Sequence, residues 1–172
     1  WTITNNLTIA NTAIMHAGNF TYAIAGNIMN QGTLNAGSSM FRLNGTGEQE
    51  IYSLSPFYNL TIDKSSGNAR LTSELTVNGN TNFVSGKIVT DSNKLVLTTG
   101  ATVSGASQST GWVNGFLQKF LSTGPLSIAF ETGDNTKYTP LSFQFDNVTL
   151  AGNLIARSVS GDHPFISSSL IN

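Results

Sequence analysis

The chain has 172 residues, of which 10% are charged, and its formal net charge is −1. Asn, Ser, Thr and Gly supply 77 of these residues, so small uncharged side chains form the polar surface and long surface helices are not expected. The near-neutral charge argues against nucleic acid or an anionic membrane as a partner. The absence of cysteine excludes a disulfide scaffold, a thiolate metal site and a cysteine nucleophile.

The chain starts with WTITNNLTIANTAI, which has neither the basic segment nor the apolar stretch of a signal peptide. No run of 18 apolar residues follows, so no membrane span is predicted. Because Trp1 begins inside a strand-like pattern, we expect the natural chain to continue upstream. Other domains of the same long chain are therefore predicted partners.

Short strand-like triplets recur along the first hundred residues. They share an apolar first and third residue and are Leu7–Ile9, Tyr22–Ile24, Phe41–Leu43, Leu60–Ile62, Leu75–Val77 and Leu95–Leu97. Their first residues are 15, 19, 19, 15 and 20 positions apart. Strands this short at such spacing are typical of a repeat whose unit is too small to contain a helix.

Glycines keep a steadier spacing. Nineteen residues separate Gly18 from Gly37, Gly67 from Gly86 and Gly86 from Gly105. The step from Gly37 to Gly67 is 30 residues, and we interpret the segment GTGEQEIYSLS as an insertion of about 11 residues into one repeat. The period is therefore about nineteen residues.

The pattern predicts an all-β fold, with a parallel β-solenoid (β-helix) of about five coils over residues 1–106. The alternation of apolar and polar residues places aliphatic and Phe side chains in a narrow core. The predicted inward residues are Leu7, Ile9, Ile14, Ile24, Ile28, Leu34, Phe41, Leu43, Ile51, Leu60, Ile62, Leu71, Leu75, Val77, Phe83, Ile88, Leu95, Leu97 and Val103. An antiparallel sandwich is the alternative, although it would not require glycine at a fixed interval.

Near residue 107 the strands become longer and the glycine spacing is lost. GWVNGFLQKF, PLSIAFETGDNTKYTPLSFQFD and VTLAGNLIARSV alternate clearly and are separated by turn signals. We therefore predict that residues 107–172 form an antiparallel β unit that caps or continues the stack and is truncated in this chain.

Two stretches resemble known protein modules. In residues 41–103, LNGTGEQEI is followed by FYNLTI, LTVNGN and a VSG turn, and this order resembles repeats of very large secreted surface proteins of Bacteroidetes. Residues 111–145, with a GWVNG opening and a GDNTKYTPL turn, resemble the module that often follows such repeats. The resemblance implies secretion or display on the outer-membrane exterior through type IX secretion. Because such modules occur in adhesin-like, gliding-associated and carbohydrate-active proteins, it leaves the activity open.

Exposed aromatic rings are the first candidates for ligand contact, because sugars stack on flat aromatic faces. The candidates for glycan contact are Trp112, Tyr58 and Tyr52. The ordinary alternative is that Tyr52, Phe57 and Tyr58 pack a loop onto the stack.

Other chemistry has weaker support in the sequence. His16 and His163 lack metal-ligand spacing, and a calcium loop beginning at Glu131 and Asp134 is less expected than a hairpin turn. Asp63 and Asp91 fall near corners of neighbouring coils, where a shallow charged patch would form. No catalytic residue, cofactor or metal site is predicted.

We predict a non-enzymatic structural or adhesive module of an exported bacterial cell-surface protein. The alternative is a carbohydrate-binding or carbohydrate-enzyme-associated β-helix module, and a β-helix lyase is the third hypothesis. The expected partners beyond the same chain are surface glycans and host or substratum surfaces.

Overall fold

A computed structural model describes residues 1–161, which form strands and turns without a helix. The first strands are β1 (Thr2–Ile3), β2 (Leu7–Ile9), β3 (Ile14–His16), β4 (Thr21–Ile24), β5 (Ile28–Asn30), β6 (Thr33–Asn35), β7 (Met40–Leu43) and β8 (Gln49–Ser53). They are followed by β9 (Asn59–Asp63), β10 (Ala69–Leu71), β11 (Leu75–Val77), β12 (Asn80–Ser85), β13 (Ile88–Leu97), β14 (Thr102–Ser104) and β15 (Val113–Leu121). The last strands are β16 (Gly124–Phe130), β17 (Thr132–Gly133), β18 (Leu141–Val148) and β19 (Gly152–Ala156).

The chain winds into coils with three faces, and each of the strands β1 to β15, together with β17, pairs in parallel with a strand one coil away. The first face is the six-stranded sheet β1-β4-β7-β9-β12-β14, and the second follows the order β2-β5-β8-β10-β13-β15-β17. The third face contains β3 with β6, then β11 with the second half of β13. The predicted parallel β-solenoid is confirmed. It has about six turns where five were predicted, because parallel pairing continues beyond residue 106 into β15 and β17.

The coils differ in length. Tyr22 pairs with Phe41, 19 residues later, whereas Ile88 pairs with Val113, 25 residues later. Leu7 lies on the second face and Tyr22 on the first. The 15-residue step between their triplets therefore compares two faces of neighbouring coils, and only the steps near 19 and 20 residues compare one face with itself.

The prediction of an insertion after Gly37 is wrong. Gly37 stacks on Gly18 at the corner before the first face, where a Cβ on Gly37 would lie 2.3 Å from the Gly18 carbonyl oxygen. Gly67 lies at a different corner, between the first and second faces. The 30-residue step thus joins two corners, and the segment GTGEQEIYSLS contains β8, a regular strand paired with β5 and β10.

The extra residues lie later in the chain. Gly111, and not Gly105, stacks on Gly86, since a Cβ on Gly111 would lie 1.8 Å from the Gly86 carbonyl oxygen. The Ser107 amide donates to the Gly111 carbonyl at 3.1 Å and closes a small loop between the two glycines. This loop explains the 25-residue coil.

Alternation of side chains builds the core as predicted, with one correction at β3. Most predicted inward residues are buried, while Leu7 and Val103 are partly buried against the same core. Ile14, however, is 62% exposed, and Met15 packs inward instead. The register of β3 on β6 sets Met15 beside the buried Leu34. Because neighbouring side chains on a strand point to opposite sides, Ile14 must then face solvent.

An aromatic stack runs along the core axis. The Tyr22 and Phe41 rings are 5.4 Å apart, and those of Phe41 and Phe57 are 4.6 Å apart. The Tyr22 hydroxyl donates to the Ala17 carbonyl at 3.1 Å, so its one polar atom is satisfied. Phe57 is fully buried, which makes it part of the core and not a loop residue resting on the surface.

Two polar side chains fill the corner between the first and second faces. Lys64 and Gln49 are 2% and 1% exposed. The Lys64 ammonium donates to Gln49 Oε1 at 2.6 Å and to the Gly45 carbonyl at 3.0 Å, and Gln49 Nε2 donates to the Ile24 carbonyl at 3.0 Å. Burial, partly offset by the charge of Glu48, lowers the pKa of Lys64 from 10.5 to about 8.

The end of the described chain is antiparallel, as predicted for this part of the sequence. Strands β16 and β18 form a two-stranded antiparallel sheet in which Leu126 pairs with Phe145 and Ile128 with Phe143. Strand β19 runs antiparallel to β15. The boundary predicted between residues 106 and 107 falls inside the parallel stack, between β14 and β15.

Candidate functional site

The outward side of the second face carries a charged row that crosses three coils. Arg70, in the middle of β10, donates from Nε to Glu48 Oε1 at 2.9 Å on one side and from its terminal nitrogen to Asp91 on the other. The hydrogen bond to Glu48 and the charge of Asp91 raise the pKa of the Arg70 guanidinium. Arg70 is therefore a permanent cation whose position is set by two carboxylates.

A groove opens beside this row, where the second face meets the antiparallel end of the chain. Its volume is about 430 Å³, and its walls come from the corner before β10, from β10, β13 and β15, from the turn after β17 and from the segment after β19. The lining residues are Asn68, Arg70, Val89, Asp91, Asn114, Gly115, Phe116, Asn135, Arg157, Ser158 and Val159. Amide, guanidinium and carboxylate groups thus surround one aromatic ring.

Arg157 forms one wall of the groove. Its guanidinium carbon lies 4.6 Å from the centre of the Phe116 ring, a cation–π contact that restricts the orientation of the guanidinium plane. Within residues 1–161, every ion pair formed by an arginine involves Arg42 or Arg70. The charge of Arg157 is thus not neutralised by a carboxylate of the described chain.

Two asparagines hold the opposite wall. Asn114 Nδ2 donates to Asn135 Oδ1 at 2.7 Å, which joins β15 to the turn after β17. The Lys87 ammonium donates to the Asn135 carbonyl at 2.5 Å and lies 4.5 Å from the centre of the Trp112 ring. A second cation therefore stands behind this wall.

The structure does not bring the predicted aromatic residues together. Trp112 is 2% exposed, and its indole N–H donates to the Asp134 carbonyl at 2.9 Å. Tyr58 is 38% exposed at the corner before β9, and Tyr52 is half-buried on the second face beside Met29. Stacking on a sugar needs an accessible ring face, which the buried Trp112 lacks, so glycan contact stays a prediction for Tyr58 and Tyr52.

The predicted charged patch divides into separate ion pairs. Asp63 pairs with Arg42 on the first face, while Asp91 pairs with Arg70 on the second. The Lys94 ammonium lies 2.9 Å from Glu74 Oε2. Each ion pair joins neighbouring coils, because stacking places residues that are about one coil apart in the sequence next to each other.

The region considered for calcium is a turn held by hydrogen bonds. Asp134 Oδ1 accepts from the amides of Thr136 and Lys137, both at 2.7 Å, and these bonds lower the pKa of Asp134. Glu131 lies 2.6 Å from the Lys119 ammonium. In the described part of the chain, no group of three or more His, Asp or Glu side chains is positioned to hold a metal ion.

Of the two histidines, one lies in the described structure, away from the groove. His16 Nδ1 is 3.3 Å from Asn35 Nδ2 on the neighbouring coil. His163 lies outside the described residues.

The groove has no signature in the sequence. Phe116 and Arg157 are 41 positions apart, and neither belongs to a motif. Asn114 and Asn135 differ by 21 positions, about one coil, but spacing of this kind is common in a chain so rich in asparagine. This spacing would indicate the groove only if the register of each coil on the next were already known after residue 105.

The fold and the groove define a three-faced parallel β-solenoid with a polar concavity near its antiparallel end. No family model, no curated protein and no solved structure matches the chain. Among residues 1–161, the structure contains no helix of the length and apolar character needed to cross a membrane.

Proposed function

We propose that this chain is a non-enzymatic structural or adhesive module of an exported bacterial cell-surface protein. The observation that carries the proposal is the continuous parallel stack of the first face, in which six strands from successive coils are joined edge to edge. In a solenoid each coil contacts only its neighbours, so stability accumulates along the axis and the stack acts as a spacer.

Side-chain bonds between coils strengthen this stack. Asn59 Oδ1 accepts from the Asn80 amide at 2.9 Å, and the Thr102 hydroxyl donates to Asn80 Oδ1 at 3.0 Å. The Ser104 hydroxyl donates to Asn82 Oδ1 at 2.9 Å. Such ladders satisfy polar groups without using many charges, which fits a module exposed to solvent. The resemblance of residues 41–103 and 111–145 to secreted repeats supports export.

Single-molecule force spectroscopy on the 172-residue chain tests the mechanical role. Pulled by its two ends, the chain should lengthen in steps that each release about one coil, or roughly 70 Å for about 20 residues. Phe41→Ala, in the core stack, should lower the force of the central steps, and Phe20→Ala, at a position 53% exposed, should not. Lengthening without resisted steps would overturn the proposal.

Carbohydrate binding is the second candidate, and the polar groove beside Phe116 favours it. Sugar sites combine an apolar surface with a few placed polar groups, and this groove has both. A glycan array with the purified chain should show saturable binding. If Tyr52 or Tyr58 contributes, Tyr52→Ala or Tyr58→Ala will weaken it, and an array without any bound glycan would rule this candidate out.

A further inference from the structure

We infer that the groove between β10, β15 and the segment after β19 binds an acidic saccharide, and that Arg157 holds the carboxylate of the sugar. The inference rests on the carbohydrate-binding candidate and names its ligand class.

The first step of the argument is the state of the two guanidinium groups. Arg70 already donates to Glu48 and Asp91, so its charge is already paired with carboxylates of the protein. Arg157 has no ion pair among residues 1–161 and is oriented by the Phe116 ring. Arg157 is solvent-exposed, and a planar guanidinium lying against a ring still offers parallel N–H donors to a planar oxyanion.

The second step is the charge around the groove. Lys87 stands behind Asn135 and bonds only to a neutral carbonyl there, so it adds positive potential at this wall. Arg70 faces two carboxylates, Glu48 and Asp91, so this trio carries one net negative charge. Lys87 and Arg157 together outweigh it by one charge, and this positive excess, in a protein whose formal net charge is −1, favours an anionic ligand.

The third step is the remaining polar surface. Asn114 and Asn135 use one amide hydrogen and one oxygen on each other, which leaves an acceptor on Asn114 and donors on Asn135 directed from a fixed pair. Sugar hydroxyls both donate and accept, so they match such mixed amide surfaces. A carboxylate together with neighbouring hydroxyls is the chemistry of a uronic acid.

Isothermal titration calorimetry with tetragalacturonate tests the inference, with maltotetraose as the neutral probe of equal length. Tetragalacturonate should bind, and maltotetraose should bind at least about tenfold more weakly. Arg157→Gln should weaken tetragalacturonate binding about tenfold or more, and Arg157→Lys should restore only part of it, because ammonium lacks the planar fork. Excess inorganic sulfate should not fully displace tetragalacturonate from a sugar site. Full displacement would indicate a general oxyanion site that recognises charge alone.

The matched control is Arg42→Gln, which removes an arginine of the first face that pairs with Asp63 outside the groove. It should leave binding unchanged. Equal loss in Arg42→Gln and Arg157→Gln, absence of tetragalacturonate binding, or full displacement by sulfate would overturn the inference. Binding of maltotetraose that depends on Tyr52 would also overturn it, yet would leave the carbohydrate-binding candidate standing.

Discussion

At the scale of single residues, close stacking of glycines sets the corners of the solenoid. Gly37 has a φ of +58°, and a Cβ there would lie 2.3 Å from the Gly18 carbonyl oxygen. Both the backbone angle and the lack of space exclude a larger residue. Gly47 has a different environment, since nothing lies within 4 Å of its Cβ position.

Gly37→Ala should therefore lower the free energy of unfolding by more than about 2 kcal/mol, since backbone strain and displacement of the neighbouring coil add together. Gly47→Ala should change it by less than about 0.5 kcal/mol, as expected for an open surface position. Urea unfolding followed by circular dichroism measures both. Equal effects of the two substitutions would contradict the stacked corner.

The buried Lys64 makes stability depend on pH. Its pKa of about 8 in the folded protein is below the value of 10.5 that we take for the unfolded chain. Between these values the unfolded chain binds the proton more tightly, so the unfolded state holds more protons and stability rises with pH. The cost of burying the charged form is fully present below pH 8 and disappears toward pH 10.5.

We expect the free energy of unfolding to increase by up to about 2 kcal/mol between pH 7.5 and 9.5. Lys64→Met removes the titrating group and should abolish most of this increase, whereas Lys94→Met, at a surface ion pair with Glu74, should retain it. Urea titrations at several pH values provide the measurement. A wild-type profile that is flat or falls over this range would show that the buried ammonium does not control stability.

At the scale of elements, the aromatic stack connects neighbouring coils. Phe41 is fully buried between Tyr22 and Phe57. Its ring fills a narrow part of the core, so neighbouring side chains could not easily fill the space if the ring were removed. Interiors this closely packed relax little around a deletion.

Phe41→Ala should cost about 3–5 kcal/mol, and Phe41→Leu less, because leucine retains part of the buried volume. Phe20→Ala is the matched control, since Phe20 is 53% exposed. Thermal and urea unfolding distinguish them. A loss at Phe41 no larger than at Phe20 would mean that the stack contributes little to the core.

At the scale of the whole molecule, stability should vary along the axis. Strands β1, β2 and β3 each pair with a strand on one side only, whereas β7, β9 and β10 pair on both sides. Because a coil interacts only with its neighbours, opening of the first coil breaks one interface and opening of a central coil breaks two.

In the 172-residue chain taken by itself, amide hydrogen exchange should therefore be faster in β1 to β3 than in β7, β9 and β10. Mass spectrometry of peptides from each coil measures this gradient, and β13, which pairs with β10 and β15, serves as a second protected reference. Uniform protection from the first coil to the fifth would indicate that the whole stack opens as one unit.

The fold class could be predicted from the sequence because both of its signals can be read along the chain without knowledge of tertiary contacts. Alternation of apolar and polar residues identified inward positions such as Ile24 and Leu60, and the recurrence of triplets and glycines indicated stacked coils. Spacing alone does not say which face or corner a residue occupies. The sequence pattern predicts that Ile14 points inward and aligns Gly105 with Gly86. In the structure Ile14 is exposed and Gly111 stacks on Gly86, because local patterns do not contain the register of one coil on the next.

The groove could not be predicted by the same reasoning. Arg157 and Phe116 meet because β19 runs antiparallel to β15, and Trp112 is buried where the turn after β17 packs beside it. The sequence alone determined an all-β, stacked and polar-surfaced protein, since side-chain alternation and turn chemistry act over a few residues. The tertiary structure decided the length of each coil, the positions that stack and the side chains that share a surface, since these depend on contacts between residues about one coil or more apart.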